Sequence, residues 1–194
     1  REIDRDAGKH QWKGHDVNSG IDFDIWDPKK GVEPSSHILF KQPVVMDAFC
    51  SIVRVLDKNN VFILGGNKNY DTKIPDGSNM SMIYNIQDKK FELSKNLNFK
   101  RWYGSAVITG DNKLIVFGGK QTGDEYSPSN KVFEIDFSNS FKPKIKELKS
   151  MNFARSNGDA TILPDGNIFL NGGHSYLDDL TFSVFTPEIY NPST

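Results

Sequence analysis

Apolar residues in this chain come in short runs cut by clusters of Asn, Asp, Gly and Lys. No stretch keeps the i, i+3, i+4 spacing of an amphipathic helix over the roughly 11 residues that a helix needs. Runs such as Val61-Phe62-Ile63-Leu64, Leu114-Ile115-Val116-Phe117 and Ile168-Phe169-Leu170 are apolar at successive positions. A strand points alternate side chains to opposite faces, so these runs predict strands covered on both sides. The clusters before them, Asp57-Lys58-Asn59-Asn60, Gly110-Asp111-Asn112-Lys113 and Pro164-Asp165-Gly166-Asn167, supply the backbone angles of tight hairpins. The pattern predicts an all-β chain.

The same order recurs three times. An apolar strand, a polar turn, a second apolar strand and a Gly pair occupy Ser51 to Gly66, Gly104 to Gly119 and Gly158 to Gly173. Gly65 and Gly118 are 53 residues apart, Gly118 and Gly172 are 54 apart, and a period of about 50 is that of kelch repeats. A second strand pair lies between successive Gly pairs: Met82-Ile83-Tyr84 with Phe91-Glu92-Leu93, and Val132-Phe133-Glu134-Ile135 with Ile145-Lys146-Glu147-Leu148. Ile25-Trp26-Asp27-Pro28 and Ile189-Tyr190-Asn191-Pro192 take the matching outer-strand place before and after. The expectation is one partial kelch-type β-propeller domain over 1–194, with repeats ending near Gly66, Gly119 and Gly173. It amounts to about three four-stranded blades of a larger, about seven-bladed propeller. The remaining blades are then its first expected partners, and unpaired strand edges make the chain by itself unstable or prone to associate.

Charge and cysteine content narrow the function classes. With 24 Lys and Arg against 25 Asp and Glu, a net charge of -1 gives no field to draw a nucleic acid. No apolar run approaches the roughly 20 residues of a membrane-spanning helix. Cys50 is the single cysteine, which excludes an intrachain disulfide and a Cys-based zinc cluster. The charged stretch Lys142 to Lys149 reads as a solvated strand with its flanking loop.

Candidate chemistry sits at one repeat offset. Fifteen residues before the first Gly of each pair stand Cys50, Tyr103 and Asn157. Equivalent places in adjacent blades face alike, at one end of the central channel where ligand sites form. The plain alternatives are a packed small thiol for Cys50, a packed aromatic for Tyr103 and a turn cap for Asn157. Arg101 and Arg155 share a second offset and are expected to brace adjacent blades through carbonyl or carboxylate contacts. Trp102 is expected to point away from Tyr103 if the backbone there is extended. His10, His15, His37 and His174 lack metal-ligand spacing, His174 reads as a loop residue, and Asp178-Asp179 reads as solvated loop.

Asp47-Ala48-Phe49-Cys50, followed by a hairpin and Gly65-Gly66-Asn67, and then Arg101-Trp102-Tyr103, followed by a hairpin and Gly118-Gly119, resemble the copper radical oxidases of the galactose/glyoxal oxidase group. The repeat from Ala154-Arg155-Ser156-Asn157-Gly158-Asp159 through Ile162-Leu163-Pro164-Asp165-Gly166 to Gly172-Gly173 is similar to the glyoxal oxidase branch. Pro187-Glu188-Ile189-Tyr190-Asn191-Pro192 resembles the family's next outer strand, so the likeness runs from about Asp22 onward.

In that family the Cys is joined by a thioether to the Tyr one repeat later, and the Tyr is an equatorial copper ligand. The resemblance therefore implies catalytic and cofactor-forming roles for Cys50 and Tyr103, with Tyr103 on the metal. It implies oxidation of a primary alcohol, aldehyde or carbohydrate by dioxygen to give hydrogen peroxide, glyoxal oxidase-like rather than galactose oxidase-like, and it implies secretion. The thioether makes the phenolate easier to oxidise, so copper and a tyrosyl radical together take two electrons. The family's axial Tyr, the His directly after it and a second His come from later repeats, so the chain alone is expected to be inactive. The Trp that shields the thioether in galactose oxidase falls at Gln121 here. The competing reading is a non-enzymatic kelch propeller that binds protein or carbohydrate, with Cys50 an ordinary core thiol.

Overall fold

The computed structural model describes residues 22–41, 46, 48, 50–66, 77–94, 96–121, 128–138, 142–177 and 180–194. Asp47, Phe49, Asn67, Asp178, Asp179, His10 and His15 lie outside them. The chain forms two compact units, Arg1–Val45 and Met46–Thr194.

The described part of the first unit is an antiparallel hairpin of β1 (Asp22–Trp26) and β2 (His37–Lys41). Trp26 stands opposite His37, stacks on its ring at 6.3 Å, and donates its indole N–H to the Gly31 carbonyl at 2.7 Å. The Asp24 carboxylate lies 2.7 Å from His37 Nδ1.

The described residues of the second unit form three antiparallel sheets of four strands, one per sequence repeat. The first orders β3 (Ile52–Val55), β4 (Asn60–Leu64), β5 (Ser81–Asn85) and β6 (Lys90–Leu93). The second orders β7 (Ser105–Ile108), β8 (Lys113–Phe117), β9 (Val132–Asp136) and β10 (Lys144–Leu148). In the third, β12 (Ile168–Leu177) pairs with β11 (Ser156–Ile162), with β13 (Leu180–Ser183) along its later half and with β14 (Glu188–Tyr190) along its earlier half. The described residues contain no α-helix, as the pattern predicts.

Two apolar layers explain the continuous runs. Ile52, Phe62, Leu64 and Ile83 of the first sheet pack against Ala106, Leu114, Val116, Phe133 and Ile135 of the second. The opposite face of the second sheet, Val107, Ile115, Phe117 and Val132, packs on Ala160, Ile168, Leu170 and Tyr190 of the third. Strand β8 is thus covered on both sides, and Leu114, Ile115 and Val116 have no exposed surface. Strand β10 has only exposed and half-buried positions, as its charge predicts.

The Gly pairs sit where sheet meets sheet. Gly65 and Gly118 have φ of 73° and 57°, and a Cβ on them would stand 2.3 Å from the Arg101 carbonyl oxygen and 2.2 Å from that of Arg155. Only glycine combines that angle with that approach. Their successors Gly66 and Gly119 donate their N–H groups to the Arg101 and Arg155 carbonyls respectively, each at 2.9 Å. A Cβ at Gly172 would meet nothing within 4 Å.

The arginines brace differently from the expectation. Their main-chain carbonyls join neighbouring sheets, while their side chains serve their own sheet. Arg155 donates to the carbonyls of Gly172 and Thr186 and to Glu188 Oε1 at 2.7 Å. Arg101 donates to the carbonyls of Lys100 and Lys131, and its guanidinium lies 4.9 Å and 5.1 Å from the ring centres of Phe99 and Phe133. Phe133 opposes Val116 as Glu188 opposes Leu170 one repeat later, so an aromatic replaces the carboxylate. Burial lowers the Arg101 pKa to about 10, with the Glu147 charge opposing the shift.

Candidate functional site

Three residues at the same repeat offset share an uncommon backbone state. Cys50, Tyr103 and Asn157 have φ of 59°, 57° and 54°, in the left-handed region that non-glycine residues rarely enter. They are also linked in series across the sheets: the Tyr103 N–H donates to the Cys50 carbonyl at 3.2 Å, and the Asn157 N–H to the Tyr103 carbonyl at 3.0 Å. Cys50 and Tyr103 lie just before β3 and β7, and Asn157 is the second residue of β11, so all three stand at the start of the first strand of their sheets.

This frame brings the predicted pair together. Burial, and then a side-chain hydrogen bond with Cys50, push the Tyr103 phenol up to about 12. A bond that favours the neutral phenol has its O–H donating to sulfur. Cys50 is half-buried, as is Tyr103. Asn157, the third equivalent, is exposed.

Trp102 departs from expectation. The left-handed turn at Tyr103 breaks the alternation of an extended chain, so the two adjacent rings face each other at 4.3 Å between centroids, tilted by 49°. Trp102 is buried, and its indole N–H has no hydrogen-bond partner among the described residues. Gln121, at the place of the galactose oxidase shield, instead donates to Ser129 Oγ at 2.9 Å.

The first residue after each later Gly pair also belongs to this end. Lys120 exchanges main-chain hydrogen bonds with Trp102 at 3.0 Å and 2.7 Å, and its Nζ lies 5.3 Å from the Trp102 ring centre. His174 occupies the equivalent place in the third sheet. It is a strand residue of β12 rather than part of a loop, paired in register with Ser156, and its Nε2 lies 2.8 Å from Ser156 Oγ. Burial, and then the Lys120 charge, hold His174 below the usual histidine range. Sequence reasoning passed over Lys120 and Ser156, although their fixed offsets from Gly119 and Gly173 were visible signals.

No family model matches the chain. A galactose oxidase of Gibberella zeae is 24% identical over 166 residues, covering 77% of this chain and 23% of that protein. A solved fungal alcohol oxidase of the AA5 family, in complex with copper, superposes with a TM-score of 0.64 at 19% identity, over 81% of this chain and 34% of its own. The chain is copper radical oxidase-like. It spans about a quarter of the length of the curated oxidase it matches. The structure of YjhT also superposes on this oxidase-like chain, with a TM-score of 0.63 at 15% identity over 81% of the chain and 51% of YjhT. These superpositions establish the fold as that of propeller-like blades.

Proposed function

We propose that this chain carries the Cys50–Tyr103 cofactor of a copper radical oxidase that oxidises a primary alcohol or aldehyde with dioxygen, releasing hydrogen peroxide. The remaining blades, and an extracellular site of action, belong to the same proposal. The observation that carries it is the hydrogen bond between the Cys50 side chain and the Tyr103 phenol at matched left-handed positions. A thioether would join that sulfur to the ring carbon ortho to the phenol oxygen. Its formation breaks the S–H bond and one ring C–H bond and makes one C–S bond. Two electrons and two protons pass to dioxygen, giving hydrogen peroxide.

The donor set fits copper in part. Tyr103 offers a hard oxygen that copper(II) accepts, and its elevated pKa of about 12 means that a nearby cation is needed to ionise it at neutral pH. Among the described residues no group of three or more His, Cys, Asp or Glu side chains is placed to hold a metal, so the other donors are assigned to the rest of a longer protein. Copper, when bound, supplies a one-electron partner to the tyrosyl radical. Trp102 covers the Tyr103 ring and shelters that radical from water, the role that Gln121 is unsuited to fill. The sequence of the third repeat favours a glyoxal oxidase-like substrate range.

The test is mass spectrometry of a digest of the full-length protein expressed with copper. A Cys50 peptide joined to a Tyr103 peptide, two hydrogens lighter than their sum, is expected. Free peptides with copper loading verified would refute the reading and favour a propeller that binds protein or carbohydrate.

A further inference from the structure

Trp102 carries two features that a packing role does not need. Its ring faces Tyr103 at 4.3 Å between centroids, and the Lys120 ammonium lies 5.3 Å from the centre of the same ring. Main-chain hydrogen bonds in both directions, at 3.0 Å and 2.7 Å, hold Trp102 and Lys120 opposite each other, and both residues are buried. The second feature is the indole N–H, a buried donor with no hydrogen-bond partner among the described residues. A buried donor left unpaired costs stability, so its retention beside Tyr103 calls for a reason.

A cation is drawn to the electron-rich face of a neutral indole. The sign reverses when the indole loses an electron, because the ring then carries positive charge and an ammonium beside it in a water-poor setting repels that charge. An indole radical cation is also a strong acid that ordinarily passes its N–H proton to an acceptor, and that loss traps the unpaired electron on the ring. At Trp102 no described group accepts the proton. We propose that Lys120 and the buried, unpaired N–H make Trp102 a redox-inert cover, which keeps an unpaired electron on Tyr103 and off the indole. The inference rests on the oxidase reading and concerns the control of its radical. The step they oppose moves one electron from the Trp102 indole to the Tyr103 phenoxyl. It leaves an indole radical cation and a phenolate, and no bond forms or breaks. Lys120 acts through Trp102 and is a positioning residue.

The experiment takes the full-length protein expressed with copper, strips the metal by chelation, oxidises the chain by one electron with azide radicals, and follows the indolyl and phenoxyl absorption bands. Other tryptophans give a background that Trp102→Phe leaves in place. In otherwise wild-type protein Trp102→Phe should therefore leave the indolyl band unchanged, and a band that falls would overturn the proposal. This comparison needs no lysine variant, so it decides even where such a variant fails to fold. Lys120→Met, which keeps the aliphatic stem, should bring out a Trp102 contribution at least about tenfold above its wild-type level. Lys120→Arg should behave as wild type, and adding Trp102→Phe to Lys120→Met should abolish the new signal. An indolyl band that does not respond to Lys120→Met would overturn the proposal, as would a rise that survives Trp102→Phe. Peptide masses from the same samples decide the oxidase reading separately. Without a thioether that reading falls, while the radical bands still decide whether Trp102 is inert.

Discussion

Replacing Glu188 by Ala isolates what a buried ion pair does in this fold. Arg155 and Glu188 are 3% and 6% exposed at the side chain and meet at 2.7 Å. Glu188 also accepts the main-chain N–H groups of Asn152 at 2.6 Å and Phe153 at 3.2 Å. Glu188→Ala therefore strands a buried guanidinium and two backbone donors at once. Breaking a buried pair from one side costs about 3–5 kcal/mol, because the surviving charge loses both its partner and water. Domains of this size are stable by only about 5–15 kcal/mol. With a urea m-value of about 2 kcal/mol per molar, the midpoint should fall by roughly 1.5–2.5 M. The second sheet shows that the position tolerates a different solution, since Phe133 fills the equivalent place and Arg101 lies against aromatic rings. The double variant Arg155→Met with Glu188→Met should accordingly recover most of the loss. Urea denaturation of the full-length protein measures both. A Glu188→Ala midpoint within error of wild type, or a double variant as unstable as Glu188→Ala, would refute the reasoning.

Gly118→Ala and Gly172→Ala share nearly the same φ, 57° and 60°, and differ in what the new methyl meets. The backbone alone should cost each about 1–2 kcal/mol, and Gly118→Ala should cost clearly more because Arg155 is displaced. If the full-length protein seats another blade on the third sheet, the two costs should converge there; thermal denaturation that leaves Gly172→Ala the cheaper variant would mean that nothing packs against it. In copper-free protein the Tyr103 phenolate should develop near pH 12, read from its ultraviolet band. Its neutral form stabilises the fold fully below the unfolded phenol value of about 10, and that contribution is lost as pH rises through about 12. Cys50→Ala should move the transition down only part of the way to 10, because burial is the larger cause; no movement would show that the thiol does not touch the phenol.

The strands and their sheets were legible because strand β8, covered on both sides, must be apolar from Leu114 to Phe117, and the first two Gly pairs because no other residue fits the angle and approach at Gly65 and Gly118. The equivalent places of Cys50, Tyr103 and Asn157 were legible through equal offsets in a repeat, and all three share the left-handed backbone. Other features were hidden. Tyrosine seldom adopts a left-handed backbone, so nothing in Arg101-Trp102-Tyr103 announced that Trp102 would face its neighbour. The Gly pair at Gly172-Gly173 read as the end of a strand, yet β12 continues because Ser156 and Ser183 keep pairing with His174. The second sheet keeps only the single bridges of Lys120 with Trp102 and Pro128. The aromatic bed of Arg101 was hidden because Phe133 lies far from it in sequence and reads as an ordinary strand residue.

The serial main-chain link through Cys50, Tyr103 and Asn157 separates support from chemistry. The backbone alone sets the spacing of these three places, so each acts as a socket whose occupant can change without moving its neighbours. A thiol, a phenol and an amide now fill them, and duplication of a repeat would create a fourth socket already aimed at the same space. New reactivity at this end of the fold then requires only a change of occupant.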